Sequence, residues 1–449
     1  MHSPVRLSKL LLVSGDLLCF VAALWISLFA RVLTPPTPNL FLAHFVAFIP
    51  LFVVWIGVFF IAGLYEERRI LFGRRALSAA ILYAQLANVI IAALFFFVIP
   101  AFGIAPKTVL AIYLAISFSL VFFWRSRVFF WFGLERPARA LVIAAGGEIE
   151  ELVAALNTSP YSPVCAAEVL QPDAPELGRA VVAALGKHEP DFIIADLSGS
   201  GLEGVFPDLY NLLMRGVRFV DAGELYEDVF GRVPLSRVST AWIARHISIF
   251  SHFLYDPLKR AMDIILALLA GVASLIFYPF IVATIAIEGG GGIFIAQERV
   301  GQAGRTIRLY KFRTMTGNDF GNYDTSGTSA LSVTRAGRFL RQTRLDELPQ
   351  LWNVLTGDLS LIGPRPELPA LVARYEEAIP FYGIRHLVRP GLSGWAQIYH
   401  DNHPHHGEAI EATREKLSYD LYYLTRRSFM LDIVIALKTF AKLLTRSGI

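Results

Sequence analysis

Four runs of apolar residues open the chain, at about 10–30, 40–64, 76–99 and 109–124. Each approaches or exceeds the roughly 20 predominantly apolar residues that a helix needs to cross the hydrocarbon of a bilayer. The pattern predicts a four-helix transmembrane bundle over 1–135. The first run is longer than the apolar core of a secretory leader and ends at Arg31 without a small-residue cleavage site, so it is expected to stay as an anchor. From 139 the pattern shortens. Apolar runs at 139–145, 166–170, 191–197 and 217–221 alternate with helical stretches at 148–156, 177–185 and 207–215. That alternation predicts a parallel, doubly wound α/β (Rossmann-like) domain over 136–250. A fifth uncharged run, 264–287, contains Pro279, which removes a backbone donor and breaks a helix in its middle.

Charges between the runs set an orientation. Arg6 and Lys9 precede the first run, Arg68, Arg69, Arg74 and Arg75 separate the second from the third, and Arg125, Arg127, Arg136 and Arg139 follow the fourth. The other two loops hold little beyond Arg31 and Lys107. By the positive-inside rule, the N-terminus and everything after the fourth run face the cytoplasm. The fifth run has Lys259 and Arg260 before it and Arg299, Arg305, Arg308, Lys311 and Arg313 after it, so both of its ends belong on that side. A re-entrant helix hairpin at about 258–288, dipping into one leaflet, satisfies this; a plain fifth span would put everything after Glu288 outside.

Composition agrees with a chain partly in lipid. Of the 449 residues 55% are hydrophobic and 17% charged, against roughly 25% charged in soluble domains. The formal net charge of +4 fits Lys and Arg at membrane faces, and nucleic acid is not an expected partner. Two cysteines, Cys19 and Cys165, provide neither a disulfide framework nor a thiolate metal site. In the middle domain the turn Ala145-Gly146-Gly147-Glu148 lacks the glycine spacing for a pyrophosphate and puts an anion where a phosphate would lie. A structural, dimerising or regulatory role is expected there, with a homodimer as the expected assembly.

The candidate chemistry lies in the third domain, 251–449. Pro349 is tolerated only in the first turn of a helix, so 348–355 is predicted helical with Asp346 and Glu347 at its N-terminal edge. Adjacent carboxylates at a positive helix end stay ionised, and they can share a divalent cation or divide between nucleophile and metal ligand. Their oxygens favour Mg²⁺. Arg341 and Arg365 offer planar forks for phosphate oxygens.

Ordered signposts carry a resemblance over roughly the last 190 residues. They are Lys259-Arg260 with Asp263, the mid-run Pro279, Gln297-Glu298-Arg299-Val300-Gly301 and Lys311-Phe312-Arg313-Thr314-Met315. Then come Leu345-Asp346-Glu347-Leu348-Pro349-Gln350-Leu351-Trp352-Asn353, Gly363-Pro364-Arg365-Pro366, Pro390-Gly391-Leu392-Ser393-Gly394-Trp395-Ala396-Gln397, and a Leu417-to-Tyr423 segment followed by Asp432. This region resembles the bacterial sugar transferases, monotopic phosphoglycosyl transferases that move a hexose 1-phosphate from a UDP-sugar to a polyprenyl phosphate. With the preceding spans and α/β domain, the whole is similar to their large polytopic members, which start exopolysaccharide, capsule or O-antigen units. The resemblance implies an α/β catalytic domain with a re-entrant membrane helix at the bacterial cytoplasmic membrane. It also implies undecaprenyl phosphate as acceptor, Asp346 as the nucleophile that forms an aspartyl phosphosugar and releases UMP, and Glu347 working with it and Mg²⁺. Lys311, Arg313, Arg341 and Arg365 are implied to hold phosphates, with Gln397 as a further candidate. Glucose or galactose is the hexose expected.

The chain departs from that family at several places. Tyr278, not serine, precedes the membrane proline, and Gly289 to Gly292 replace a Gly-Pro stretch, suggesting a flexible re-entry. Ala330-Leu331-Ser332 stands where an arginine is frequent, and Tyr399-His400-Asp401 follows the Trp-Ala-Gln signpost where an arginine often binds substrate. His400, His403, His405 and His406 show no helical ligand spacing and are not expected to hold a metal. Tyr255 and Lys259 have the Tyr-x-x-x-Lys spacing of a membrane-anchored sugar-nucleotide dehydratase or epimerase, with Pro257 between them expected to keep the pair off one helix. A non-catalytic membrane scaffold is the remaining alternative.

Overall fold

The computed structural model describes residues 4–65, 74–98, 107–128, 138–158, 164–174, 176–196, 217–247, 255–319, 331–399 and 410–445. Arg68, Arg69, Arg136, the helix expected at 207–215, Ala330 and the histidine tract from His400 lie outside the described residues. The chain forms two compact units, Met1–Gly231 and Arg232–Ile449.

The first unit opens with α1 (Pro4–Val32), α2 (Pro38–Ile61), α3 (Arg74–Val98) and α4 (Lys107–Phe123), which continues as a π turn to Val128. Pro38 starts α2 where its missing N–H costs nothing, and Thr37 caps it by accepting the Leu40 N–H at 3.4 Å. The helices pack on one another through Phe20, Phe48, Trp55 and Tyr113, with Trp55 5.5 Å from Phe20 and 5.2 Å from Tyr113 between ring centres. Three stretches, Leu10–Val32, Pro38–Ile61 and Val109–Val128, are long and apolar enough to span a bilayer; the apolar part of α3, Ala80–Phe96, is shorter. Arg125, expected as a solvated loop cation, is instead buried against Asp16 of α1. It also donates to the Leu64 carbonyl at 2.7 Å, and Tyr65 donates to Asp16 at 2.9 Å. Charges taken out of water must be paired in this way.

Beyond the helices lie β1 (Ala138–Ile143), α5 (Gly147–Thr158), β2 (Val164–Leu170), α6 (Leu177–His188), β3 (Phe192–Ala195), β4 (Arg218–Asp221) and α7 (Ala222–Phe230). The strands are all parallel in the order β2-β1-β3-β4. Alternate strand residues face opposite ways. Ala140, Val142 and Ile194 pack under α5 and α7, whereas Leu141, Ile143 and Ile193 meet Leu177, Val181 and Ala184 of α6. Helices therefore cover both faces, and the sheet is doubly wound.

The second unit begins earlier than the boundary expected at 250. Val233 is buried with Leu368, Tyr375 and Leu417, and its N–H donates to the Ser418 carbonyl at 3.0 Å. After a short helix α8 (Thr240–His246) come α9 (Tyr255–Ser274) and α10 (Tyr278–Glu288), bent by 62° across a break of a few residues. The break falls just before Pro279, which sits in the first turn of α10. Ile264, Ile265, Leu268, Leu269 and Val272 of α9 are exposed, while Asp263 and Ala267 are buried. Two strands, β5 (Phe294–Val300) and β6 (Thr306–Phe312), pair antiparallel. They are followed by α11 (Arg335–Thr343), α12 (Gln350–Thr356), β7 (Ser360–Ile362), α13 (Pro369–Ala378), β8 (Gly391–Ser393), α14 (Trp395–Tyr399), α15 (Ile410–Arg426) and α16 (Phe429–Thr445). β7 and β8 pair in parallel. Their closeness explains a motif glycine: a Cβ on Gly391 would lie 2.1 Å from the Gly363 nitrogen.

Candidate active site

Asp346 and Glu347 sit in a single 3₁₀ turn, Leu345–Glu347, between α11 and α12. Thr334 caps α11 by accepting the Gly337 N–H at 2.9 Å, and Arg344 ends it with a left-handed φ of 56°. A non-glycine residue held there stores strain and turns the chain abruptly toward α12. Leu345 and Leu348 flank the carboxylates and pack with Ile281 and Ile285 of α10 and with Phe312 and Leu340. Asn353 fixes the far side: its Nδ2 donates to the Arg308 carbonyl at 2.8 Å and its Oδ1 accepts the Tyr310 N–H at 3.1 Å, binding α12 to β6.

The two carboxylates have opposite environments. Asp346 is 8% exposed; burial first, and then the neighbouring Glu347, push its carboxyl up to about 6 against the pull of Lys311 and Arg341. Burial also opposes ionisation of Glu347, but Arg365 and Arg344 hold that carboxyl below its usual range. Arg365 donates to Glu347 at 2.9 Å, and Arg344 lies 3.8 Å from it. Adjacent titratable groups driven apart in this way are a signature of divided roles: Glu347 is held as an anion, and Asp346 ionises at about 6 and has no hydrogen-bonded cation among the described residues.

Lys311 on β6 is held by the Gln297 Oε1 at 3.3 Å and by Asp319 at 3.4 Å, and Arg299 donates to the same Gln297 oxygen at 2.6 Å. Burial, followed by the cations Arg299 and Arg341, lowers its ammonium pKa, against Asp319 and Asp346. Arg341 donates to Thr314 at 2.9 Å. Lys311, Arg341 and Arg365 thus lie around the carboxylate pair.

Arg313, expected to hold phosphate, makes a structural contact that the sequence did not show. It is buried, donates to the Ile285 and Gly289 carbonyls, and so caps the C-terminal end of α10. One of the glycines after α10 makes room for this contact, and another passes close to the Thr316 carbonyl. Gly289, Gly290 and Gly291 all have positive φ, and a Cβ on Gly291 would come within 2.8 Å of the Arg313 Nη1.

The remaining sequence candidates hold the frame. Asp432, 1% exposed, accepts from Lys259 at 2.8 Å, Tyr255 at 2.7 Å and Tyr423 at 3.0 Å, joining α9, α15 and α16. Tyr255 and Lys259 do stand one turn apart on one helix, because Pro257 falls in its permissive first turn, but both are committed to Asp432. Arg260 donates to the Val354 and Leu355 carbonyls at 2.6 and 2.8 Å, capping α12. Asp263 accepts the Leu361 N–H at 3.2 Å. Gln397 has a buried Oε1 without a partner and is not brought to the carboxylate pair by any contact among the described residues.

Sequence reasoning missed a buried charge network behind Arg365. Arg385 donates to the Arg365 carbonyl at 2.9 Å, to Asp420 at 2.7 Å and to the Tyr382 hydroxyl at 2.9 Å. Lys416 pairs with Glu367, whose carboxyl is pulled down to about 2, against its burial, by Lys416 and Arg385. Of these residues Asp420 falls within the Leu417-to-Tyr423 signpost, whereas Arg385, Glu367 and Lys416 carry no motif spacing.

The sequence profile described as bacterial sugar transferase matches residues 254–446. The UDP-N-acetylgalactosamine-undecaprenyl-phosphate N-acetylgalactosaminephosphotransferase of Aeromonas hydrophila is 37% identical over 271 residues, 59% of this chain and 61% of that protein. A sugar transferase of Bacillus subtilis, EpsL, is 37% identical over 195 residues, 43% of this chain and 90% of that protein. The UDP-glucose:undecaprenyl-phosphate glucose-1-phosphate transferase of Escherichia coli is 37% identical over 186 residues, 41% of this chain but only 40% of that protein. Since the match covers 90% of the Bacillus protein at 37% identity, and the family profile spans the segment that carries the Asp346–Glu347 turn, the chain belongs to the bacterial sugar transferase family.

Proposed function

We propose that the chain is a membrane phosphoglycosyl transferase that moves a hexose 1-phosphate from a UDP-sugar to undecaprenyl phosphate, as the first membrane step of a surface polysaccharide. The observation that carries this reading is the split pair: a buried Asp346 poised near neutrality beside a Glu347 locked by Arg365. In the first step an Asp346 carboxylate oxygen attacks the sugar-linked phosphorus of the donor. The bond to the bridging oxygen breaks, UMP leaves, and an aspartyl phosphohexose remains. In the second step an oxygen of the lipid phosphate attacks the same phosphorus, the aspartyl bond breaks, and the carboxylate is restored with a lipid diphosphate sugar as product. Lys311, Arg341 and Arg365 are placed to neutralise the phosphates of both partners, which otherwise repel the attacking carboxylate. Glucose and galactose remain the proposed hexoses; the named relatives act on glucose and on N-acetylgalactosamine donors.

Asp346 and Glu347 supply the hard oxygen donors that Mg²⁺ takes, and no cluster of three or more acidic, His or Cys side chains is found among the described residues. That set fits a cation completed by donor phosphates. When bound, Mg²⁺ would neutralise charge on those phosphates. The bend between α9 and α10, their exposed apolar side chains and the charges at both flanks support a hairpin that enters and leaves from the cytoplasmic face. This sets the carboxylates at headgroup level, where a soluble donor and a lipid acceptor meet.

The test is UMP release by the full-length protein in nanodiscs, with undecaprenyl phosphate, Mg²⁺ and a panel of UDP-sugars, beside Asp346→Asn. Lipid-dependent release with one sugar, lost in the variant, is expected. Release with none of the donors, or equal release by the variant, overturns the reading.

A further inference from the structure

A cleft of about 490 Å³ opens in the second unit away from the Asp346–Glu347 pair. It is lined by the first turns of α9, by Ser360 and Ile362 of β7, by Leu387 to Arg389, and by the end of α15 with Arg427. Four cations, Lys259, Arg260, Arg389 and Arg427, face two carboxylates, Asp256 and Asp263. Part of this charge is committed: Lys259 to Asp432, Arg260 to the α12 carbonyls, and Asp263 to the Leu361 N–H. The other two cations are under-used. Arg427 reaches Asp256 through Nη1 at 3.2 Å, but its buried Nε has no partner. The Arg389 side chain makes no hydrogen bond or ion pair among the described residues.

Position narrows the ligand. The cleft lies at the foot of α9, directly before the turns that expose Ile264, Ile265, Leu268 and Leu269; exposed Leu387 lines it, and exposed Leu258 falls between its lining residues Pro257 and Lys259. Guanidinium forks with free donors select phosphate oxygens. Leucines beside them suit hydrocarbon chains and not a soluble nucleotide. An anionic headgroup is also drawn to basic residues at the surface of a membrane.

We propose that this cleft binds the phosphate headgroup of a membrane lipid through Arg389 and Arg427, at a site separate from the reacting carboxylates. The phosphate belongs to a bilayer phospholipid or to a polyprenyl phosphate, two sources that share the same recognition chemistry. The proposal rests on the membrane placement of α9 and not on the transfer reaction, so it is tested by binding rather than turnover.

The experiment is native mass spectrometry of the full-length protein in detergent, titrated separately with phosphatidylglycerol, undecaprenyl phosphate and inorganic phosphate. We expect a one-to-one lipid adduct that falls by about tenfold or more in Arg389→Ala/Arg427→Ala, as loss of two charge-assisted contacts requires. Leu387→Trp, which keeps both charges and narrows the cleft, should weaken the adduct without altering the melting temperature. Phosphatidylglycerol as the retained lipid identifies a bilayer source, and undecaprenyl phosphate an acceptor source. An adduct unchanged in both variants overturns the proposal. So does an adduct lost only in Arg341→Ala, which assigns the lipid to the catalytic pair, or binding of inorganic phosphate alone.

Discussion

At the scale of single residues, the contrast between Asp346 and Glu347 makes definite predictions. The Asp346 carboxyl, raised to about 6, must be ionised to attack phosphorus, so the rate of UMP release should climb as pH rises through about 6 and level off above it. A profile flat between pH 5 and 8 would remove Asp346 as the group that limits the rate. Because its folded pKa lies above that of a free carboxyl, Asp346 contributes stability below about pH 4 that is lost as pH rises through about 6. Asp346→Asn should therefore abolish transfer and raise stability at pH 8 by about 1–3 kcal/mol, read from denaturant melts. Arg365→Lys keeps the charge but loses the guanidinium hydrogen bond to Glu347, and kcat/KM should fall by about 10- to 100-fold. Motif spacing singled out Asp346, Glu347, Lys311, Arg341 and Arg365 together, and the fold gathers them around one turn. Spacing did not show the cap that Arg313 makes, since an arginine that caps a helix and one that binds phosphate look alike until the carbonyls of Ile285 and Gly289 are placed beside it. Arg385, Glu367 and Lys416 left no trace in spacing because they meet only through the fold.

Elements were legible where periodicity and chemistry agreed. The parallel sheet and its covering helices follow from short apolar runs divided by turns, and the helix after Pro349 starts where the proline permits. Less legible was Pro257, which begins α9 instead of interrupting it, so that Tyr255 and Lys259 share one face toward Asp432. That buried triad makes a test of the frame. Asp432→Ala leaves the Lys259 ammonium and two tyrosine hydroxyls without their acceptor and should cost about 3–5 kcal/mol of stability. Unchanged melting would mean that the foot of α9 is not held by this contact.

For the whole molecule, the orientation expected from loop charges depends on the fifth apolar run returning to the side it entered. After replacement of Cys19 and Cys165, an impermeant thiol reagent applied to intact cells should label Thr37→Cys and leave Glu377→Cys untouched. Labelling of Glu377→Cys from outside would mean that α9 and α10 cross the membrane. The placement of 232–247 could not be read from composition, because Val233, Leu235 and Val238 look like the apolar residues of the α/β domain before them and packing assigns them to the C-terminal unit. The covalent chemistry is tested most directly on the intact chain. Its mass should be recorded after incubation with UDP-glucose or UDP-galactose and Mg²⁺ in the absence of lipid phosphate. The account predicts a phosphohexose adduct that maps to the peptide containing Asp346, disappears on adding undecaprenyl phosphate, and is absent from Asp346→Asn. An adduct that persists in Asp346→Asn, or lipid-dependent UMP release with no adduct ever formed, would contradict it.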